Sequence, residues 1–172
     1  MKKMLVLMCV FLCLTACGFQ LRGRATNKTN LMHALYIETP DPYGPLSKTL
    51  RAMLTAAGVV LVDSAEQAPY KLEMRKSETS FYSVGYGFSN QVSVNTVRYA
   101  IPYRLSSRGG EDLIPWRTVD AVRNFTINTN QALMGNVIPP YLLDDMRRDV
   151  ANQIMMQLSA WKMHETQIRP TC

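Results

Sequence analysis

Reactive side chains are few in this chain, and their spacing argues against most chemistries. The two histidines, His33 and His164, stand near opposite ends. Neither lies beside cysteines or paired carboxylates at metal-ligand spacing, so no metal is expected. Cys172 is the last residue, with no base or helix terminus beside it to lower its thiol pKa, and it reads as a bystander. The acids of Glu111-Asp112 and Asp144-Asp145 are adjacent, so on a strand or helix each pair points apart rather than converging on one proton. Gly85-Tyr86-Gly87 opens no helix and cradles no phosphate, and no nucleophile elbow, P-loop or dinucleotide fingerprint occurs. This inventory argues against an enzyme and leaves a binding or assembly role.

The bases and aromatics are more informative. Lys71, Arg75, Arg98 and Arg104 fall at alternating positions of strand-like stretches, and Lys76 follows Arg75. One reading is a solvated sheet face. The other is anion recognition, because guanidinium forks match phosphate oxygens bidentately. Phe81, Tyr82, Tyr86 and Phe88 surround two glycines. They either extend a hairpin or form a contact surface for acyl chains or a partner.

Whichever readings hold, the chain must first reach its compartment. Met1-Lys2-Lys3 is followed by a short apolar run (residues 4–16). Such a run is too short for the roughly 20 residues of a spanning helix and fits an export signal. It ends Leu14-Thr15-Ala16-Cys17, which resembles the lipobox of bacterial lipoproteins. The resemblance implies cleavage before Cys17, a diacylglycerol on its thiol and acylation of its new amine. Gly18, rather than Asp, implies delivery to the outer membrane, facing the periplasm. The 172 residues and formal charge of +6 then describe a precursor. Removing residues 1–16, with Lys2 and Lys3, leaves 156 residues at +4. Cys9 and Cys13 leave too, so no internal disulfide is expected and the domain must stand on its core. Anionic lipid or glycolipid headgroups suit this compartment better than nucleic acid.

Hydrophobic residues make up 47% and charged residues 19%, which suits one packed domain and no multi-span bundle. Residues 17–33 read as a lipidated start and tether, residues 34–165 as a single α/β domain, and residues 166–172 as a tail. Ala34 to Thr39 is a strand that ends at a Pro-Gly-rich turn. Pro45 starts a helix with an apolar stripe at Leu46, Leu50, Met53, Leu54 and Ala57, and Gly58 closes it. Val59 to Val62 is a short buried strand, parallel to the first or merely an edge piece. Tyr70, Leu72 and Met74 alternate with Lys71, Glu73 and Arg75. Val97, Tyr99, Ile101, Tyr103 and Leu105 share a face opposite Arg98 and Arg104. Gly109-Gly110 marks a hairpin turn. Leu113 to Ile127 is a further strand in which Pro115 and Arg123 predict a bulge or a frayed start. A connector follows, with a helical turn at Gln131 to Met134. After Pro139-Pro140 a last helix carries Leu143, Met146, Val150, Ile154, Leu158 and Trp161 inward. Asp144 and Asp145 are expected in its first turn, Asp144 pairs with Arg148, and His164 lies beyond its end. The predicted fold is α/β (α+β): a two-layer sandwich with both helices on one face of a mixed four-stranded sheet.

Longer motifs carry a second resemblance. Cys17-Gly18-Phe19-Gln20-Leu21-Arg22-Gly23, then Asp41-Pro42-Tyr43-Gly44-Pro45-Leu46-Ser47 with Gly58-Val59, and more loosely Val122-Arg123-Asn124-Phe125 with Gln131-Ala132-Leu133, resemble the LPS-assembly lipoprotein (LptE) family. The resemblance covers nearly the whole mature chain. It implies a two-layer α/β sandwich, no catalysis, and a lipoprotein that plugs the LptD outer-membrane β-barrel, supports its assembly and binds lipopolysaccharide. The alternative partner reading is an anionic-glycolipid binder without a barrel. Family basic positions before the last helix and near the hairpin tip align with Met134-Gly135-Asn136 and Gln91-Val92, which are not basic. Any lipopolysaccharide contact here therefore falls to Lys71, Arg75, Lys76, Arg98 and Arg104. No cofactor is implied beyond the lipid on Cys17.

Overall fold

The computed structural model describes residues 32–86, 92–128 and 138–168. The export signal, Cys17, most of the tether, Phe88, the connector with its expected helical turn, and Cys172 lie outside the described residues, as does the side chain of Tyr86.

Among the described residues eight elements follow in order: β1 (Ala34–Glu38), α1 (Pro45–Ala56), β2 (Val60–Val62), β3 (Tyr70–Met74), β4 (Glu78–Tyr86), β5 (Val92–Ser107), β6 (Asp112–Asn128) and α2 (Pro140–Ile168). They build an α+β domain in which both helices contact the sheet and each other. β1 pairs in parallel with β2 and with β3, and β3 pairs antiparallel with β5. β4 also pairs antiparallel with β5, further along it. β6 runs along the other edge of β5 for most of its length.

The sheet therefore has six strands rather than four. The extra count comes largely from a break at residues 75–77. There the Arg75 N–H donates to the Pro102 carbonyl at 2.9 Å. In an antiparallel ladder a residue's N–H and C=O face the same neighbour, so the N–H that Pro102 lacks is missing from this same edge. The ladder is interrupted, and β3 and β4 lie end to end against one long strand. β2 is the parallel edge strand expected, but it is not buried, since Val60 is 59% exposed.

α1 begins where Pro45 costs no hydrogen bond. It ends in a Schellman closure: Val59 N–H donates to Leu54 O and Gly58 N–H to Thr55 O, both at 3.0 Å. Gly58 takes φ +85°, which a side chain would strain. Gly44 is needed for a different reason, since a Cβ there would collide with the Asp41 carboxylate.

The core lies between helices and sheet. Leu46, Leu50 and Leu54 of α1 and Met146, Val150, Ile154 and Leu158 of α2 are buried against Leu35, Ile37, Leu72, Met74 and the odd residues Val97 to Leu105 of β5. Each such fully buried side chain contributes about 1.5–3 kcal/mol relative to exposure. The expected irregularity of β6 is present as register shifts opposite Tyr103 to Ser106, beside Pro115. α2 starts at Pro140, so Asp144 and Asp145 fall in its second turn rather than its first. Asp144 pairs with Arg147 at 2.7 Å, not with Arg148, and His164 lies within the helix because it continues to Ile168.

Candidate functional site

Strand alternation sends the even residues of β5 to the sheet face away from the helices. That face carries a charge ladder across four strands. Lys71 Nζ contacts Glu38 at 2.9 Å and Glu73 at 3.4 Å. Arg104 reaches Glu73 at 2.7 Å and Asp112 at 3.5 Å. Arg98 meets Asp120 at 2.9 Å. Trp116, from the irregular stretch of β6, stacks beneath two guanidiniums, with Arg75 4.0 Å and Arg104 5.0 Å from its ring centre.

The ladder tunes its members. Burial pushes the Glu73 carboxyl up, but the hydrogen bond and charge of Arg104, helped by Lys71, outweigh it and hold the group below its ordinary value. The hydrogen bond to Glu38 raises Lys71. Three of the five expected lipopolysaccharide bases, Lys71, Arg98 and Arg104, are thus engaged by carboxylates of the same face. Arg75 is stacked, and Lys76 has no ion pair or hydrogen bond among the described residues. The sequence shows where these bases sit but not most of their acids, since Glu38, Glu73 and Asp120 reach Lys71, Arg104 and Arg98 from other strands.

The expected aromatic contact loop divides by parity. Tyr82 is 55% exposed and shares the open face with exposed Val94 and Val122. Phe81 points the other way and packs edge-on against Phe125, centroids 5.8 Å apart, so it is partly a packing residue. Two contacts between sheet and α2 were not foreseen. Arg123 is held by Asp145 and Asp149. Buried Tyr103 donates to Gln157, which also accepts from Arg117 at 3.1 Å. The Asp145–Asp149 spacing of four on one helix was the available signal. Among the described residues no cluster of His, Cys, Asp or Glu could hold a metal ion. No helix among them is long and apolar enough to cross a membrane.

The chain is 30% identical over 162 residues to the LPS-assembly lipoprotein LptE of Yersinia pestis (strain Pestoides F), spanning 90% of this chain and 73% of that protein. The LptE of Yersinia pseudotuberculosis serotype O:1b (strain IP 31758) matches with the same identity and coverage. The chain belongs to the LptE family of LPS-assembly lipoproteins. No family model matches it. The fold of this LptE-family chain is shared by solved lipoproteins. Rare lipoprotein B of Shewanella oneidensis superposes with a TM-score of 0.65 at 17% identity, covering 77% of this chain and 98% of that one. Lipoprotein B of Nitrosomonas europaea gives 0.63 at 20% identity over 88% and 97%. Of residues 91–92 and 134–136, where the resemblance led us to expect that family bases are missing, only the backbone of Val92 lies among the described residues.

Proposed function

We propose that this chain is an outer-membrane lipoprotein, anchored through acyl chains on Cys17, that occupies the lumen of the LptD β-barrel. It supports assembly of that barrel and delivery of lipopolysaccharide to the outer leaflet, contacts lipopolysaccharide itself, and acts without catalysis. The observation that carries this reading is the 30% identity to LptE over nine tenths of the chain. The domain suits the role physically. Barrel lumens are polar, and the part of the open sheet face that carries the charge ladder is polar and largely charge-compensated. With three of the five candidate bases already paired, any lipopolysaccharide contact from this set rests mainly on Arg75 and Lys76.

The test is purification of the tagged, full-length lipoprotein from its own membranes. A β-barrel subunit is expected to co-purify, and depletion of the lipoprotein is expected to lower the amount of folded barrel. A barrel that folds normally in depleted cells would overturn the proposal. Cys17→Ala is expected to release the chain from the membrane fraction.

A further inference from the structure

A cavity of about 360 Å³ opens on the helix side of the sheet, between the start of α1, the β3–β4 break and the flank of α2. Its floor is apolar, from Tyr99 and Ile101 of β5. Its charged lining is Arg75, Lys76 and Arg147 against the single carboxylate of Asp41. The three cations come from two separate parts of the chain and meet only through the fold.

Their states differ in a useful way. Arg75 contributes its stem, because its guanidinium lies over Trp116. Lys76 is exposed and has no polar partner among the described residues. Arg147 is mostly covered, with 23% of its side chain exposed, and gives one Nη1 contact to Asp144 at 2.7 Å. A guanidinium has five donors, so Arg147 keeps several for a ligand. An apolar floor with cations at the rim fits a sugar carrying a phosphate: the Arg147 guanidinium lies 6.0 Å from the Tyr99 ring centre, and the phosphate meets it and Lys76 above that floor.

We infer that this cavity is a binding site for a phosphorylated sugar headgroup, held by Lys76 and Arg147. The choice of glycolipid as its source rests on the lipopolysaccharide reading above, while the anion chemistry rests on the cavity alone. The site differs from the charge ladder on the opposite sheet face, whose bases are engaged.

The test is calorimetric titration of the detergent-solubilised full chain with bisphosphorylated lipid A, dephosphorylated lipid A and glucose 1-phosphate. Phosphorylated lipid A is expected to bind at least about tenfold more tightly than the dephosphorylated form, the size of one charge-assisted contact. Binding of glucose 1-phosphate at comparable strength would assign the site to free sugar phosphates rather than lipid, with the cavity still confirmed. Lys76→Gln and Arg147→Gln are each expected to weaken binding about three- to tenfold, and the neighbouring Arg148→Gln to leave it unchanged. Lys76 is exposed, so K76Q tests the site without endangering the fold. Equal affinity for both lipid A forms, or unchanged affinity in the K76Q/R147Q double variant, overturns the site. A double variant that still co-purifies with the barrel separates failure of this site from failure of the lipopolysaccharide reading, which loss of barrel co-purification in the wild type would mark.

Discussion

β5 shows two different solutions on its two faces. Its odd residues, Val97 to Leu105, are buried beneath the helices, and Tyr103 among them is fully covered. Its even residues Arg98 and Arg104 stay partly solvated and spend their charge on neighbouring strands. Apolar burial is worth kilocalories per side chain, whereas solvated ion pairs are worth little. Stability is therefore concentrated on one face, leaving the other open to change without loss of the fold.

This contrast breaks if a core truncation proves mild. Leu158→Ala is expected to cost about 2–5 kcal/mol in chemical denaturation, because it leaves a cavity against the sheet. Tyr103→Phe sharpens the comparison, since it removes only the hydroxyl that donates to Gln157 and should cost about 1 kcal/mol. Burial, partly opposed by Arg117, pushes the Tyr103 hydroxyl up from 10.0 to about 12. In the unfolded chain the group ionises first. Its contribution is thus complete below pH 10 and is lost as pH rises from 10 to about 12. Y103F should lack that part of the alkaline decline, as measured by unfolding midpoints across the interval.

Gly58→Ala should cost about 1 kcal/mol through its positive φ alone, because nothing lies near its Cβ position. The smallest effect is expected on the open face. Glu73→Gln should lower the thermal midpoint by no more than a few degrees. Because Glu73 is held below its ordinary 4.5, it stabilises the fold above that pH and loses the contribution as pH falls through its lower folded value. E73Q should therefore be less acid-sensitive than the wild type. A larger loss from E73Q than from L158A at neutral pH would reverse the assignment of the two faces.

Much of this division is written in the sequence as period. Alternation in β3 and β5 fixed which residues turn inward, and the three- and four-residue steps of α2 did the same for Met146 to Leu158. The strand count was harder. It depends on Pro102 removing a donor from one edge, a consequence visible only once that edge has a partner. The site was half legible for the same reason. Arg75 and Lys76 stand out as bases, but Arg147 reads as an ordinary helix residue until α2 crosses the sheet beside them. Lys71, Arg98 and Arg104 looked equally available because the acid nearest each belongs to another strand.

The position of β1 has a kinetic consequence. β5 and β6 are joined by a tight turn and can zip within microseconds, as hairpins do. β1 precedes both of its neighbours in the chain yet lies between them, and its partners Val60 and Tyr70 arrive much later. Its docking, like that of β3 on β5, must close a long loop before any pairing is gained, so both follow the hairpin. A chain that stalls there presents unpaired strand edges, the form most exposed to proteolysis and misassembly.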